Sequence, residues 1–219
     1  MHYHATPEDH AVLEKKGFLL VDSGATYMDG TTDITRTYPL GELTEDEKRF
    51  YTWTLQSHID LARAVWLDYC ECKMIDTIAR EPLWRHLINY RCGTGHSVSF
   101  VGNVHEGPHA LNSRNTTRMR PGMVVTDEPG VYETDLVGIR IENELVCIHK
   151  ADNQYGTFLG FEPLTFVPIA TSPILSGVLD KDELAWLNDY HRQVFAKLAP
   201  HLNAEERVWL AEKCASIGC

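Results

Sequence analysis

No apolar run in this sequence approaches the ~20 residues that a membrane-spanning helix needs. Its opening residues, MHYHATPEDHAV, lack the charged segment and apolar stretch of a secretory signal. Positive charge is also scarce: 20 Lys and Arg face 31 Asp and Glu, a formal balance of -11. That balance argues against nonspecific binding to nucleic acid or to an anionic membrane, and it leaves acidic side chains available to hold cations. The six cysteines, Cys70, Cys72, Cys92, Cys147, Cys214 and Cys219, form neither paired CxxC spacing nor a dense disulfide framework. They read as reduced thiols, which together with the missing signal predicts a cytoplasmic protein. Low-complexity tracts and short-period repeats are absent as well.

What is present is an ordinary globular composition, 43% hydrophobic over 219 residues, enough for one or two domains. GFLLVD at 17–22 and DITRTYPL at 33–40 read as adjacent strands or a hairpin. Thr44 and Glu47 form a capping-box pair that opens a long helix. Asp76 is the expected cap of a second helix running to about Tyr90, with Pro82 tolerable near its first turn or at a kink. MVVTDEPGVY (123–132) and GIRIENELVCI (138–148) each read as one strand, followed by a Pro-rich link. Two helices close the chain, near 181–199 and 203–215, with Asp180/Glu183 and Asn203/Glu206 as caps. Strands and helices mix without βαβ alternation, so the expected class is α+β.

Five residues stand out as potential ligands because strands seldom carry carboxylates. Asp22 ends the run FLLV, Asp33 opens ITRT, Glu128 ends MVVTD, and Glu142 lies in IRIEN on the side opposite Ile139 and Ile141. His96 lies in GTGH, where glycines let the backbone pass close to something bound. Taken singly, each has a plainer reading: a turn residue, a structural ion pair with Arg140, a satisfied loop histidine. Their joint occurrence carries the argument. A two-residue turn at Asp29-Gly30 places Asp22 and Asp33 four positions out of step, too far apart to share an ion, so a longer connection with bends near Gly24 and Gly30 is expected.

The motifs VDSGATYMDGTTDITRT, GTGHSVSFVGNVHEGP, VVTDEPG and GIRIEN, in this order, resemble the pita-bread metallopeptidases. HEGP after Asn103-Val104, GFEPLTFVPI and WLNDYHRQVFAKLAP favour the aminopeptidase P branch. The resemblance implies a pita-bread fold lacking its N-terminal part. Residues 1–160 would form the metallopeptidase domain and 161–219 a C-terminal extension. It implies an enzyme that hydrolyses the N-terminal Xaa-Pro bond of a peptide by metal-hydroxide attack. Asp22, Asp33, His96, Glu128 and Glu142 would hold two divalent ions. Oxygen-rich ligation with one imidazole suits Mn²⁺, with Zn²⁺ or Co²⁺ as substitutes. Glu128 would take the proton from the attacking water. His105 would stabilise the oxyanion or contact substrate, His2 would bind substrate, and Arg140 would contact substrate or orient Glu142.

Cys92 departs from the branch, standing where many members have a histidine that shapes the substrate pocket. Catalytic domains of the family also begin well upstream of His2-Tyr3, so the chain reads as a fragment whose N-terminal portion is missing or supplied by another chain. A homodimer is expected from the C-terminal extension. The alternative reading is a truncated, non-catalytic pita-bread fragment serving as a binding or assembly module. Intact residues at all five ligand positions count against it, and a metal-free creatinase-like hydrolase lacks the full set.

Overall fold

The computed structural model describes residues 5–218. The chain enters through a hairpin of β1 (Phe18–Tyr27) and β2 (Gly30–Pro39). Next come α1 (Glu45–Ala62), the short β3 (Val65–Leu67) and α2 (Cys72–Trp84). Seven strands follow: β4 (Gly95–Ser97), β5 (Glu106–Leu111), β6 (Val124–Asp127), β7 (Gly130–Glu133), β8 (Val137–Arg140), β9 (Asn143–Asn153) and β10 (Gly156–Pro163). The helices α3 (Lys181–Leu198) and α4 (Ala204–Lys213) close the order. Six strands form one sheet, β3-β10-β9-β6-β4-β5, while β1-β2 and β7-β8 pair separately. Strands and helices are not interleaved as βαβ units, so the α+β expectation holds.

Alternation decides which sheet face is covered. Val125, Leu145, Cys147, Leu159 and Phe161 turn one way and join Leu61, Cys72, Ile75 and Ala79 of α1 and α2 in a buried cluster. A second cluster sets Val137, Ile139 and Ile141 against Tyr51, Leu55 and Ile59 of α1 and Leu187, Tyr190 and Val194 of α3. Each fully buried Leu, Ile or Val contributes ~1.5–3 kcal/mol. The caps on α1, α3 and α4 form as expected, each a complete capping box.

Three expectations change. Glu71, not Asp76, stands at the N-cap of α2, and that helix ends at Trp84. Asp76 is buried within it, paired with Arg80 one turn later at 2.7 Å, and also accepts from the Thr94 hydroxyl. Pro82 lies near the end of α2, where the missing N–H removes only one late helical bond. Each of the two long strands is really two. β6 and β9 pair in the large sheet as far as Asp127 opposite Asn143, whereas β7 and β8 pair in their own ribbon from Gly130 opposite Arg140. The chain therefore switches sheets twice, at Glu128-Pro129 and at Ile141-Glu142.

The hairpin register also differs. The turn is Met28-Asp29, which pairs Asp22 with Thr35 and Gly24 with Asp33. Moving the turn by one residue shifts the register by two, so Asp22 and Asp33 become diagonal neighbours on one face, and no longer connection is needed. Gly24 is required there, since a Cβ would lie 2.4 Å from the Thr32 carbonyl oxygen.

Candidate metal centre

The two sheet switches put carboxylates where the ladder is interrupted. Glu128 and Glu142 stand at the two crossings between the large sheet and the β7-β8 ribbon, and the hairpin carrying Asp22 and Asp33 lies against β8 and β9. His96 arrives on β4, which runs so close to β6 that a Cβ on Gly95 would sit 1.8 Å from the Thr126 carbonyl oxygen. All five residues line one cavity of about 940 Å³, together with His105, Arg140, Tyr132 and Cys92.

Asp33, His96 and Glu142 each offer a ligand atom within 4.8 Å of the others. That span is about twice the ~2.0–2.2 Å bond length of a borderline divalent ion. His96 Nε2 lies 3.4 Å from Asp33 Oδ2 and 3.2 Å from Glu128 Oε1. Burial opposes charge on this imidazole, yet the hydrogen bonds to Asp33 and Glu128 outweigh it and push its pKa up to about 10. Glu142 is displaced well above the ordinary carboxylate range, first by burial and then by repulsion from Glu128 and Asp33. The cavity thus gathers more negative charge than it neutralises, and a divalent cation relieves that crowding. The donor set, carboxylate oxygens with one imidazole, fits hard-to-borderline ions.

Asp22 stands apart from the inner trio and is half-exposed. Its Oδ2 accepts from Arg140 Nη2 at 2.5 Å. Arg140 also donates to Tyr132 Oη at 2.5 Å and, through Nε, to Thr35 Oγ1 at 2.9 Å. Arg140 reaches Glu142 through a relay. The Thr35 hydroxyl receives Arg140 and itself donates to Glu142 Oε2 at 2.5 Å. Arg140 sits beside Asp22 because it closes β8, one residue before the chain crosses to the other sheet. Glu128 is fixed by Thr126 Oγ1, which donates to its Oε1 at 2.9 Å. His105, just before β5, packs its ring 4.1 Å from that of His96, edge to face. His2 lies outside the described residues.

Several buried groups behind the site have no single-residue signature in the sequence. Arg36 Nη1 donates to the carbonyls of Thr35 and Glu142, and its Nη2 to Asn143 Oδ1, Val167 O and the Tyr190 hydroxyl. This single guanidinium ties β2, the Glu142 switch and α3 together. His58 Nδ1 lies 3.1 Å from Asp127 Oδ2, both fully buried, directly behind Glu128. Thr35 alone left a trace: it follows Asp33 by two residues, so a strand reading places both on one face.

Residues 1–149 match metallopeptidase family M24, and residues 157–217 match the C-terminal region of peptidases of that family. Among curated proteins, aminopeptidase P2 of Arabidopsis thaliana is 43% identical over 96% of this chain and 30% of that protein. Aminopeptidase P1 of Lotus japonicus is 41% identical over 100% of this chain and 34% of that protein. The chain spans about a third of the length of the curated relatives it matches. A solved X-prolyl aminopeptidase from Caenorhabditis elegans, described as a cytosolic enzyme with a di-nuclear active site, superposes with a TM-score of 0.87. It is 39% identical over 91% of this chain and 34% of its own. The prolidase of Pyrococcus furiosus reaches a TM-score of 0.59 at 29% identity, over 69% of this chain and 42% of its own. On the strength of these matches and of the acidic cavity at the two sheet switches, the chain belongs to metallopeptidase family M24.

Proposed function

We propose that this chain carries a two-cation centre that releases the first residue of peptides with proline in second position. The observation that carries the reading is the convergence of Asp22, Asp33, His96, Glu128 and Glu142 on one cavity. Relatives named as aminopeptidases P, and a neighbour described as having a di-nuclear active site, support it.

In this reading Asp33 and Glu142 would be shared between two ions, Asp22 would help hold one, and His96 and Glu128 the other. Two ions held there would supply an activated water and polarisation of the scissile carbonyl. The chain's own groups do the rest. Glu128, positioned by Thr126, accepts a proton at its carboxylate. His105 donates from its ring nitrogen to the developing oxyanion. Arg140 holds Asp22 directly and Glu142 through Thr35, so both carboxylates are oriented before substrate arrives. None of these tasks calls on the backbone N–H that an Xaa-Pro bond lacks, which makes proline tolerable at the cut. A substrate role for His2 and Arg140, Mn²⁺ as the ion, a cytoplasmic location and a homodimer belong to the same proposal. So does a division into a catalytic part, 1–160, and an extension, 161–219.

The experiment is metal content measured beside peptide turnover. The expected result is two equivalents of Mn²⁺ per chain and release of the first residue from an Xaa-Pro peptide, with both lost in Asp33→Ala and Glu142→Ala. Hydrolysis that survives Glu142→Ala overturns the bridging assignment, and a chain that binds no metal favours the non-catalytic module.

A further inference from the structure

The metal cavity opens into two neighbours of opposite character. One, of about 810 Å³, shares Thr31 and Thr32 with it and is lined by the acidic Asp29 and Glu144. The other, of about 500 Å³, shares Cys92, Gly93 and Asn112 with it. No Asp or Glu lines this second lobe, which carries Arg91 and Arg114 instead. Neither arginine makes an ion pair among the described residues, in a chain whose net charge is -11.

The lobe's side-chain amide oxygens are already spent. Asn89 Oδ1 takes hydrogens from Arg80 Nη1 and Trp84 Nε1, both at 3.1 Å. Asn112 Oδ1 takes the backbone N–H groups of Arg114 and Asn115, at 3.0 and 3.1 Å. Both amides can therefore offer only their NH₂ groups. Arg80 is itself occupied by Asp76, Asn89 and the carbonyls of Tyr90 and Cys92. What remains is a set of donors: two free guanidiniums, two amide NH₂ groups and the Ser113 hydroxyl. Such a set selects an anion, and a guanidinium fork matches a carboxylate.

We propose that Arg91 and Arg114 form an anion subsite that takes a carboxylate of the departing peptide. The inference deepens the peptidase reading and rests on it for the word substrate. An aminopeptidase places the peptide's first residue at the ions, so the remainder must leave through one lobe. A carboxylate is repelled by Asp29 and drawn toward Arg91 and Arg114. Charge along the cleft thereby sets the direction of the chain, with Cys92 at the junction. The preferred substrates are short Xaa-Pro peptides that end in a free carboxylate or carry an acidic residue soon after proline.

The test uses the full chain loaded with Mn²⁺ and three peptides: Ala-Pro-Ala as free acid, the same as C-terminal amide, and Ala-Pro-Glu amide. Both arginines are solvent-exposed, so the expected KM advantage of the acid over the amide is about threefold to tenfold and shrinks with added salt. Ala-Pro-Glu amide separates the two carboxylate sources: recovery of the advantage assigns the subsite to side chains, and its absence assigns it to the terminal carboxylate. In Arg91→Gln and Arg114→Gln the acid-to-amide ratio falls toward one. Calorimetric binding of Pro-Ala acid against Pro-Ala amide provides a readout without turnover. Equal KM and equal binding for acid and amide, or a ratio that survives both substitutions, overturns the subsite. If no peptide is hydrolysed but the acid binds better through both arginines, the subsite stands and the peptidase reading falls.

Discussion

Replacing Thr35 by Val removes one hydroxyl and almost nothing else. The side chain is fully buried and the two residues are close in shape, so no cavity opens. Two hydrogen bonds are lost: the donation to Glu142 Oε2 at 2.5 Å and the acceptance from Arg140 Nε at 2.9 Å. The first favours the ionised carboxylate, the form that binds a cation. Without it Glu142, already driven toward its neutral form by burial and by Glu128 and Asp33, moves further that way. A hydrogen bond to a charged group contributes ~1.5–3 kcal/mol. At 1.4 kcal/mol per decade, Mn²⁺ binding should weaken about 10- to 100-fold. The assay is calorimetric titration of Mn²⁺ into the parent and Thr35→Val, with urea unfolding of the metal-free proteins alongside. Unfolding free energy should fall by ~3 kcal/mol or more, since Arg140 Nε also loses its acceptor. An affinity within about twofold of the parent's, on a chain that folds normally, refutes the relay from Arg140 to Glu142.

Tyr190→Phe tests the tie between α3 and the site. It leaves Val167 N–H without its acceptor and removes one of the partners of Arg36 Nη2, so a loss of ~1–3 kcal/mol is expected in urea unfolding. A change below ~0.5 kcal/mol would mean that the remaining contacts of Arg36 suffice. His191 predicts a pH dependence. Burial first, and then the charge of Arg36, lower its pKa from 6.5 to about 4, while its Nε2 accepts the Ile169 N–H. The folded pKa lies below the unfolded one, so this contribution is fully present above pH ~6.5 and is lost as pH falls toward ~4. Its size is on the order of 3 kcal/mol, and His191→Gln should remove that part of the slope in unfolding measured from pH 7.5 to 5. An unchanged slope in the variant rejects the assignment.

Local chemistry wrote much of this protein directly into its sequence. The capping pairs Thr44/Glu47, Asp180/Glu183 and Asn203/Glu206 depend on residues three apart, and all three form. Ile139 and Ile141 turn toward the core as strand alternation requires. The residues picked out as ligands are legible because carboxylates in strands are costly without a partner, and they line one cavity. What the sequence left open depends on contacts between distant segments. The hairpin register hangs on a one-residue choice of turn, which local patterning does not resolve because either choice keeps both aspartates on one face. Asp76 carried a cap-like spacing, yet Arg80 and Thr94 draw it into the interior. The breaks at Glu128 and Glu142 arise because two separate sheets compete for the same strands. Only the packed structure determines where each strand changes partner, and those two crossings bring Glu128 and Glu142 into the cavity that holds His96.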